Sequence, residues 1–92
     1  MAKYRIILSV GTLGMTAKQL NSVVETLMLD GWEKVDMLME TWQTSIEADN
    51  KTDVHHEVMG AIARVKLYSE ITHKLTFAFQ ISRQRPIVGT MS

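Results

Sequence analysis

The chain has 92 residues, and its 10 basic and 10 acidic side chains give a formal net charge of zero. This length suits one small domain and excludes a two-domain enzyme. The absence of cysteine excludes a disulfide scaffold, a thiolate zinc site and a cysteine nucleophile. Leu, Ile, Val and Phe make up 25 of the residues, more than the roughly 20% below which disorder is the default. We therefore expect a folded domain, and domains this small often gain stability by oligomerising.

The sequence contains no apolar run near the roughly 18–20 residues that a membrane helix needs. The apolar segment that follows Arg5 is interrupted by Gly11 and Gly14, which argues against a secretory signal. We expect a cytoplasmic protein that has no membrane partner.

Charge is distributed unevenly along the chain. Residues 33–57 carry seven acids against two lysines, whereas residues 58–92 carry five basic residues against one acid. These complementary segments could be neighbours within the fold or could meet between subunits, and the sequence leaves both arrangements open.

The first third of the chain predicts a strand and then a helix. Residues 3–10 alternate between the two faces of a strand. Thr16 and Gln19 fit a capping box, so a helix should begin at Ala17. It should end at Asp30-Gly31, because glycine readily adopts the left-handed conformation of a helix stop. The predicted apolar stripe of this helix consists of Leu20, Val23, Val24, Leu27 and Met28.

The middle of the chain is harder to interpret. Residues 32–42 fit a strand or a helix by periodicity, and we favour a strand because it would return beside the first strand. In this interpretation Leu38, Trp42 and Ile46 form an apolar row on the face opposite Val35, Met37 and Met39. Such a row suggests burial against a helix or another subunit. Residues 47–53 are polar and predict a surface loop.

Residues 54–71 also have two interpretations. As a helix they present an apolar stripe, which we favour. A strand stays open because Gly60 would weaken a helix by roughly 1 kcal/mol.

The end of the chain predicts a strand and a tail. Residues 74–82 alternate strictly, and we expect Phe77 and Phe79 to pack in the core. Pro86 then stops the strand. The predicted domain covers residues 1–86, and residues 87–92 form a C-terminal tail.

Together these elements predict an α+β fold with a small, mainly antiparallel sheet and helices packed on one face. The predicted order is βαβ(β)αβ, the arrangement of a ferredoxin-like plait. The alternative, βαβββ, replaces the second helix by a strand.

The junction between the first helix and the next strand resembles a group of small bacterial and phage domains of unknown function. The resemblance covers about the first 40 residues and is carried by the strand Lys3–Val10, by Leu20-Asn21, and by Asp30-Gly31-Trp32-Glu33 leading to Val35. It implies a compact α+β module, possibly encoded by a phage, and it supplies no catalytic residue. The segment from about Gln43 to Tyr68 has no counterpart in the group.

The connection between the first strand and the first helix is one candidate ligand site. Free N–H groups and the helix dipole favour an anion at such a position. If a phosphate or nucleotide binds between Gly11 and Lys18, then Thr12, Gly14, Thr16 and Lys18 are the expected contacts. The segment lacks the spacing of a nucleotide P-loop, and we favour a tight turn as its explanation.

The sequence gives little support for metal binding, catalysis or RNA binding. His55 and His56 are adjacent and should point to different sides, so we expect no metal site and no cofactor. No Ser-His-Asp spacing stands out, so we do not expect an enzyme. Tyr4, Phe77 and Phe79 are expected on the inward face of the sheet, which argues against the base stacking of an RNA-binding sheet.

The best-supported function is therefore a non-catalytic protein-interaction module that is homo-oligomeric, with a protein or a second copy of the chain as its partner. Capture of a small anionic ligand at the Gly11–Lys18 turn is the alternative. The predicted interface consists of Leu38, Trp42, Ile46, Arg83, Arg85 and Ile87. We expect the basic and apolar C-terminal segment to reach an acidic surface on a neighbour.

Overall fold

A computed structural model describes residues 1–35 and 40–83 of the chain. It contains four strands and two helices in the order β1 (Ala2–Val10), α1 (Ala17–Leu29), β2 (Glu33–Lys34), β3 (Thr41–Ala48), α2 (Lys51–Tyr68) and β4 (Phe77–Ser82). The sheet order is β2-β3-β1-β4, and all three strand pairs are antiparallel. This confirms the predicted α+β class and its ferredoxin-like arrangement. The alternative with a strand in place of α2 is wrong.

β1 occupies a central position because one of its faces is apolar along its whole length. Its buried side chains are Tyr4, Ile6, Leu8 and Val10. β1 pairs with β3 from Ala2↔Ala48 to Ser9↔Thr41 and with β4 from Arg5↔Ser82 to Val10↔Phe77. The helices cover the apolar face, and the opposite face carries Lys3, Arg5 and Ser9 toward solvent.

The predicted ends of α1 are confirmed. The Gln19 N–H donates to Thr16 Oγ1 at 3.1 Å, and the Thr16 N–H donates to Gln19 Oε1 at 3.0 Å, which completes the capping box. Gly31 follows the helix with a φ of 89°. The predicted stripe is partly wrong, because Leu20 and Met28 are exposed, whereas Thr26, which the stripe did not include, is buried. The buried Thr26 hydroxyl has a hydrogen-bond partner, because it donates to the Ser22 carbonyl at 2.7 Å.

α2 begins earlier than the pattern predicts. The side chain of Asn50 caps it by accepting from the Asp53 N–H at 2.9 Å. β3 also extends to Ala48, so most of the loop predicted for residues 47–53 belongs to regular structure. The buried face of α2 consists of Val54, Val58, Ala61, Ile62 and Val65.

The strand predicted for residues 32–42 divides into two. β2 is only two residues long, and the chain turns before β3 begins at Thr41. Trp42 pairs with Leu8 and is only 3% exposed within the core. The predicted burial of Trp42 is therefore confirmed, but it is burial within the chain's own core, where Trp42 has almost no surface to offer a partner. Met37, Leu38 and Met39 lie outside the described residues.

β4 is an edge strand, and this position leaves its aromatic residues more exposed than the sequence predicts. Phe77 and Phe79 point to the same face as the core, opposite Val10 and Leu8. Phe77 is nevertheless 36% exposed, so its assignment to the core is wrong, while Phe79 is half-buried against it. The tail predicted for residues 87–92 lies outside the described residues. Neither described helix combines the length and apolar character that crossing a bilayer requires.

Candidate functional site

The predicted anion-binding residues lie together in the connection from β1 to α1, but their polar groups have other partners. The Thr12 hydroxyl donates to the carboxylate of Glu40. Thr16 is engaged in the capping box of α1. Gly14 adopts a φ of 85°, as a tight turn requires, and Lys18 is exposed.

The backbone of this turn is also paired. The Gly11 N–H donates to the Thr76 carbonyl at 2.8 Å, and the Met15 N–H donates to the Thr12 carbonyl at 3.1 Å. The carboxylate of Glu40 adds negative charge beside the same turn. These contacts favour a structural turn over a site for an anion.

The histidines predicted to be surface residues are exposed. The rings of His55 and His56 are nearly perpendicular, with centroids 6.3 Å apart. His55 faces Phe79, whose ring centroid is 5.4 Å away. Within residues 1–35 and 40–83, no three His, Asp or Glu side chains are grouped closely enough to hold a metal ion.

A cleft of about 650 Å³ lies between the second half of β3 and one side of α2. It exists because β2 is short and pairs only with Trp42 and Gln43. No described strand residue covers the outer edge of β3 from Thr44 to Ala48. The Thr44 hydroxyl donates to the Gly31 carbonyl at 3.0 Å, which fixes the chain at the β2 end of the cleft.

The rim of this cleft is acidic. Asp30, Glu47 and Glu57 line it together with Arg64. Arg64 Nη2 lies 2.8 Å from Asp30 Oδ2, so its charge is already compensated. Glu57 forms no ion pair with any other described residue, whereas Glu47 lies directly opposite Lys3 on β1. The cleft therefore offers the negative charge of Glu57 to an occupant.

The floor of the cleft is apolar. It includes the buried side chains of Trp32 and Ala61 and the half-buried side chain of Ile46. Gly60 of α2 lies beside Ala61 on the same wall. A Cβ atom at Gly60 would meet only Arg64 Nη1, at an ordinary contact distance of 3.5 Å, so packing does not demand a glycine there.

A second unusual surface lies at the other edge of the sheet. The rings of Phe77 and Phe79 stack with centroids 6.2 Å apart and planes 13° apart. His55 and Met59 of α2 flank this side of the molecule, and Met59 is 37% exposed. β4 has six residues, Phe-Ala-Phe-Gln-Ile-Ser, and none carries a charge.

The residues predicted to form an interface do not lie together on one surface. Ile46 lines the cleft. Arg83 is exposed at the end of β4, and its guanidinium carbon lies 6.0 Å from the centre of the Tyr4 ring. Trp42 belongs to the core. Leu38, Arg85 and Ile87 lie outside the described residues.

The sequence interpretation missed the cleft itself. Trp32 and Glu57 gave no separate signal, because the position of each depends on how β3 and α2 pack together. Gly60 did give a signal: a glycine inside a helix costs stability and so suggests a close approach to its backbone. No protein-family model, curated protein or solved structure matches the chain.

Proposed function

We propose that the protein is a non-catalytic interaction module that associates with itself through the edge strand β4. The observation that carries this proposal is the uncharged, aromatic edge that β4 presents to solvent. Phe77 is 36% exposed there, beside the half-buried Phe79.

Exposed sheet edges are normally protected against pairing. Lysines, prolines, bulges or inward-pointing charges are the usual means, and long unprotected edges pair with other chains. β4 contains none of these residues over its six positions. Among the described strands, β4 pairs with β1 alone, through one of its two edges. Pairing of the other edge with another chain would add main-chain hydrogen bonds and cover the two rings.

A second copy fits this edge well. Two antiparallel β4 strands centred on Phe79 would place Phe79 opposite Phe79, and Phe77 opposite Ile81. Aromatic and branched pairs of this kind stabilise neighbouring strands by roughly 0.2–1 kcal/mol each. Such pairing joins two four-stranded sheets into one of eight strands and brings no like charges together. His55 and Met59 of both copies would then lie over the joined edge.

Size-exclusion chromatography with light scattering tests this proposal across micromolar to sub-millimolar concentrations. We expect a species of about 21 kDa, twice the 10.4 kDa chain. The double variant Ala78→Lys/Gln80→Lys should be monomeric, because lysines would oppose one another across the paired strands. Both positions are exposed, so the fold should persist, as circular dichroism can verify.

The matched control is Ala78→Glu/Gln80→Lys. In the register centred on Phe79, residue 78 lies opposite residue 80 of the second copy, so this variant places opposite charges together. It should therefore remain dimeric. A wild-type chain that stays at 10.4 kDa throughout the concentration range would contradict the proposal. A dimer that survives the double lysine substitution would contradict it equally.

A further inference from the structure

We propose that the cleft between β3 and α2 binds the C-terminal segment of a second copy of the chain, beginning at Arg83, as an extended strand added to the free edge of β3. This inference goes beyond the proposed function, because it adds a second mode of self-association that does not depend on pairing through β4. It uses a different surface, at the opposite edge of the sheet from β4.

The backbone of β3 provides the first reason. β2 covers only Trp42 and Gln43, which leaves the edge from Thr44 to Ala48 without a described strand neighbour. Extended segments add to free edges of this kind through main-chain hydrogen bonds, and alternate side chains fill adjacent pockets. The cleft, at about 650 Å³, is such a pocket.

Charge and polarity provide the second reason. Glu57 lines the cleft and has no ion-pair partner among the described residues. The C-terminal segment begins Arg-Gln-Arg-Pro-Ile-Val at Arg83. Its two arginines complement the acidic rim, and its Ile-Val pair suits both a strand and the apolar floor. Its proline is tolerated in an added edge strand.

Gly60 provides the third reason. It lies in the interior of the 18-residue helix α2, where glycine costs roughly 1 kcal/mol relative to alanine. Its conformation is an ordinary helical one and its surroundings would accept a Cβ atom. Because glycine has no side chain, the surface of α2 at position 60 is open, and another backbone can approach the helix there.

The direction of β4 favours a second copy over the same chain. β4 ends at Ser82, which pairs with Arg5 on the far side of β1 from β3. To reach its own cleft, the segment would have to pass the ends of β1 and β3 and the connection at Asp49-Asn50. In a dimer paired through β4, the two clefts lie at the outer edges, so this contact would join one dimer to another.

Disulfide trapping between full-length chains tests the inference, and the absence of native cysteine makes the result unambiguous. One chain carries Ile87→Cys and the other carries His56→Cys, an exposed position on the cleft rim. After mild oxidation of an equimolar mixture, we expect the mixed dimer on a non-reducing gel. The matched control replaces His56→Cys by Lys66→Cys, which is exposed elsewhere on α2 beside Leu67. Its yield should be several-fold lower.

A charge exchange tests the proposed chemistry. Glu57→Arg in the chain with the trapping cysteine at position 56 should lower the yield roughly fivefold, as expected for loss and reversal of an exposed ion pair. Arg83→Glu/Arg85→Glu in the other chain should restore it. Glu25→Arg, an exposed substitution on α1, should leave the yield unchanged.

Three outcomes would overturn the inference. The first is equal trapping by the cysteines at positions 56 and 66. The second is a yield that does not respond to the charge exchange. The third is a chain carrying both Ile87→Cys and His56→Cys that forms only an internal disulfide at every concentration, which would place the segment in its own cleft. Repeating the trapping with Ala78→Lys/Gln80→Lys separates the two proposals. The tail contact depends on exposed ion pairs and is weak, so the disulfide should still capture it in a variant that size-exclusion chromatography shows to be monomeric.

Discussion

Arg64 Nη2 lies 2.8 Å from Asp30 Oδ2, and Arg64 Nε donates to the same oxygen at 2.9 Å. This contact joins the C-terminal cap of α1 to the outer side of α2 at the mouth of the cleft. The two side chains are 47% and 26% exposed, so solvent screens their attraction. The main consequence of the pair is electrostatic: Asp30 occupies the guanidinium of Arg64, so Glu57 has no ion-pair partner among the described residues.

We predict a small energetic coupling for this pair. A double-mutant cycle with Asp30→Asn and Arg64→Gln should give at most about 1 kcal/mol in the free energy of unfolding. The coupling should fall in high salt, because exposed charges are screened. Urea denaturation of the four proteins at low and high ionic strength measures both effects. A coupling above about 2 kcal/mol, or one insensitive to salt, would show that the pair is effectively buried.

Gly60→Ala should separate stability from binding. Alanine is favoured over glycine in a helix interior, and its Cβ finds an ordinary contact, so the free energy of unfolding should rise by about 0.5–1 kcal/mol. The added methyl group narrows the cleft, so the yield of disulfide trapping by the C-terminal segment should fall. Thermal and urea unfolding give the first result. If Gly60→Ala is less stable than the wild type, the added Cβ atom is crowded, and the conclusion that the surroundings of Gly60 accept it is wrong.

Local sequence signals predicted the ends of α1, because caps depend on residues a few positions apart. Thr16 and Gln19 form the capping box within one turn, and Gly31 ends the helix through its own backbone. The side on which Trp42 lies could not be predicted in the same way. It depends on where the turn before β3 falls, and a shift of one residue moves every side chain of a strand to the other face.

The candidate site was only partly predictable for a related reason. Ile46 and Arg83 were identified as interface residues from polarity alone. The cleft depends on β2 ending after Lys34, which leaves part of β3 without a neighbour. The exposure of Phe77 depends on β4 being the edge strand. Both are properties of strand order and length, which periodicity does not encode.

Trp42 and Phe77 should therefore respond differently to truncation. Trp42→Ala removes a ring that is 3% exposed and should cost about 3–5 kcal/mol, enough to unfold a domain of this size. Phe77→Ala removes a ring that is 36% exposed and should cost only about 1–2 kcal/mol in dilute protein. Urea denaturation of both variants measures the two losses in the free energy of unfolding and shows whether the Trp42 variant loses more. At higher concentration the Phe77 variant should lose more, since the dimer would bury that ring.

Gly11→Ala should destabilise the fold through crowding. A Cβ atom at this position would lie 3.2 Å from Thr76 Cβ and 3.4 Å from the Thr76 carbonyl oxygen. The backbone cannot easily retreat, because the Gly11 N–H donates to that carbonyl at 2.8 Å. We expect a loss of about 1–3 kcal/mol in the free energy of unfolding. A smaller loss in a Thr76→Gly background, which lacks the crowding Cβ atom, would support the cause.

Ser69→Ala should be neutral or stabilising, although the residue is only 3% exposed. Its hydroxyl is buried at the end of α2 and has no hydrogen-bond partner among the described residues. Removing an unpartnered buried hydroxyl relieves its desolvation cost, so the free energy of unfolding should change by between 0 and about +1 kcal/mol. The matched contrast is Thr26→Val, which removes a buried hydroxyl that donates to the Ser22 carbonyl at 2.7 Å. That substitution should cost about 0.5–1.5 kcal/mol, and a loss of similar size at Ser69 would mean that its hydroxyl has a partner in solution.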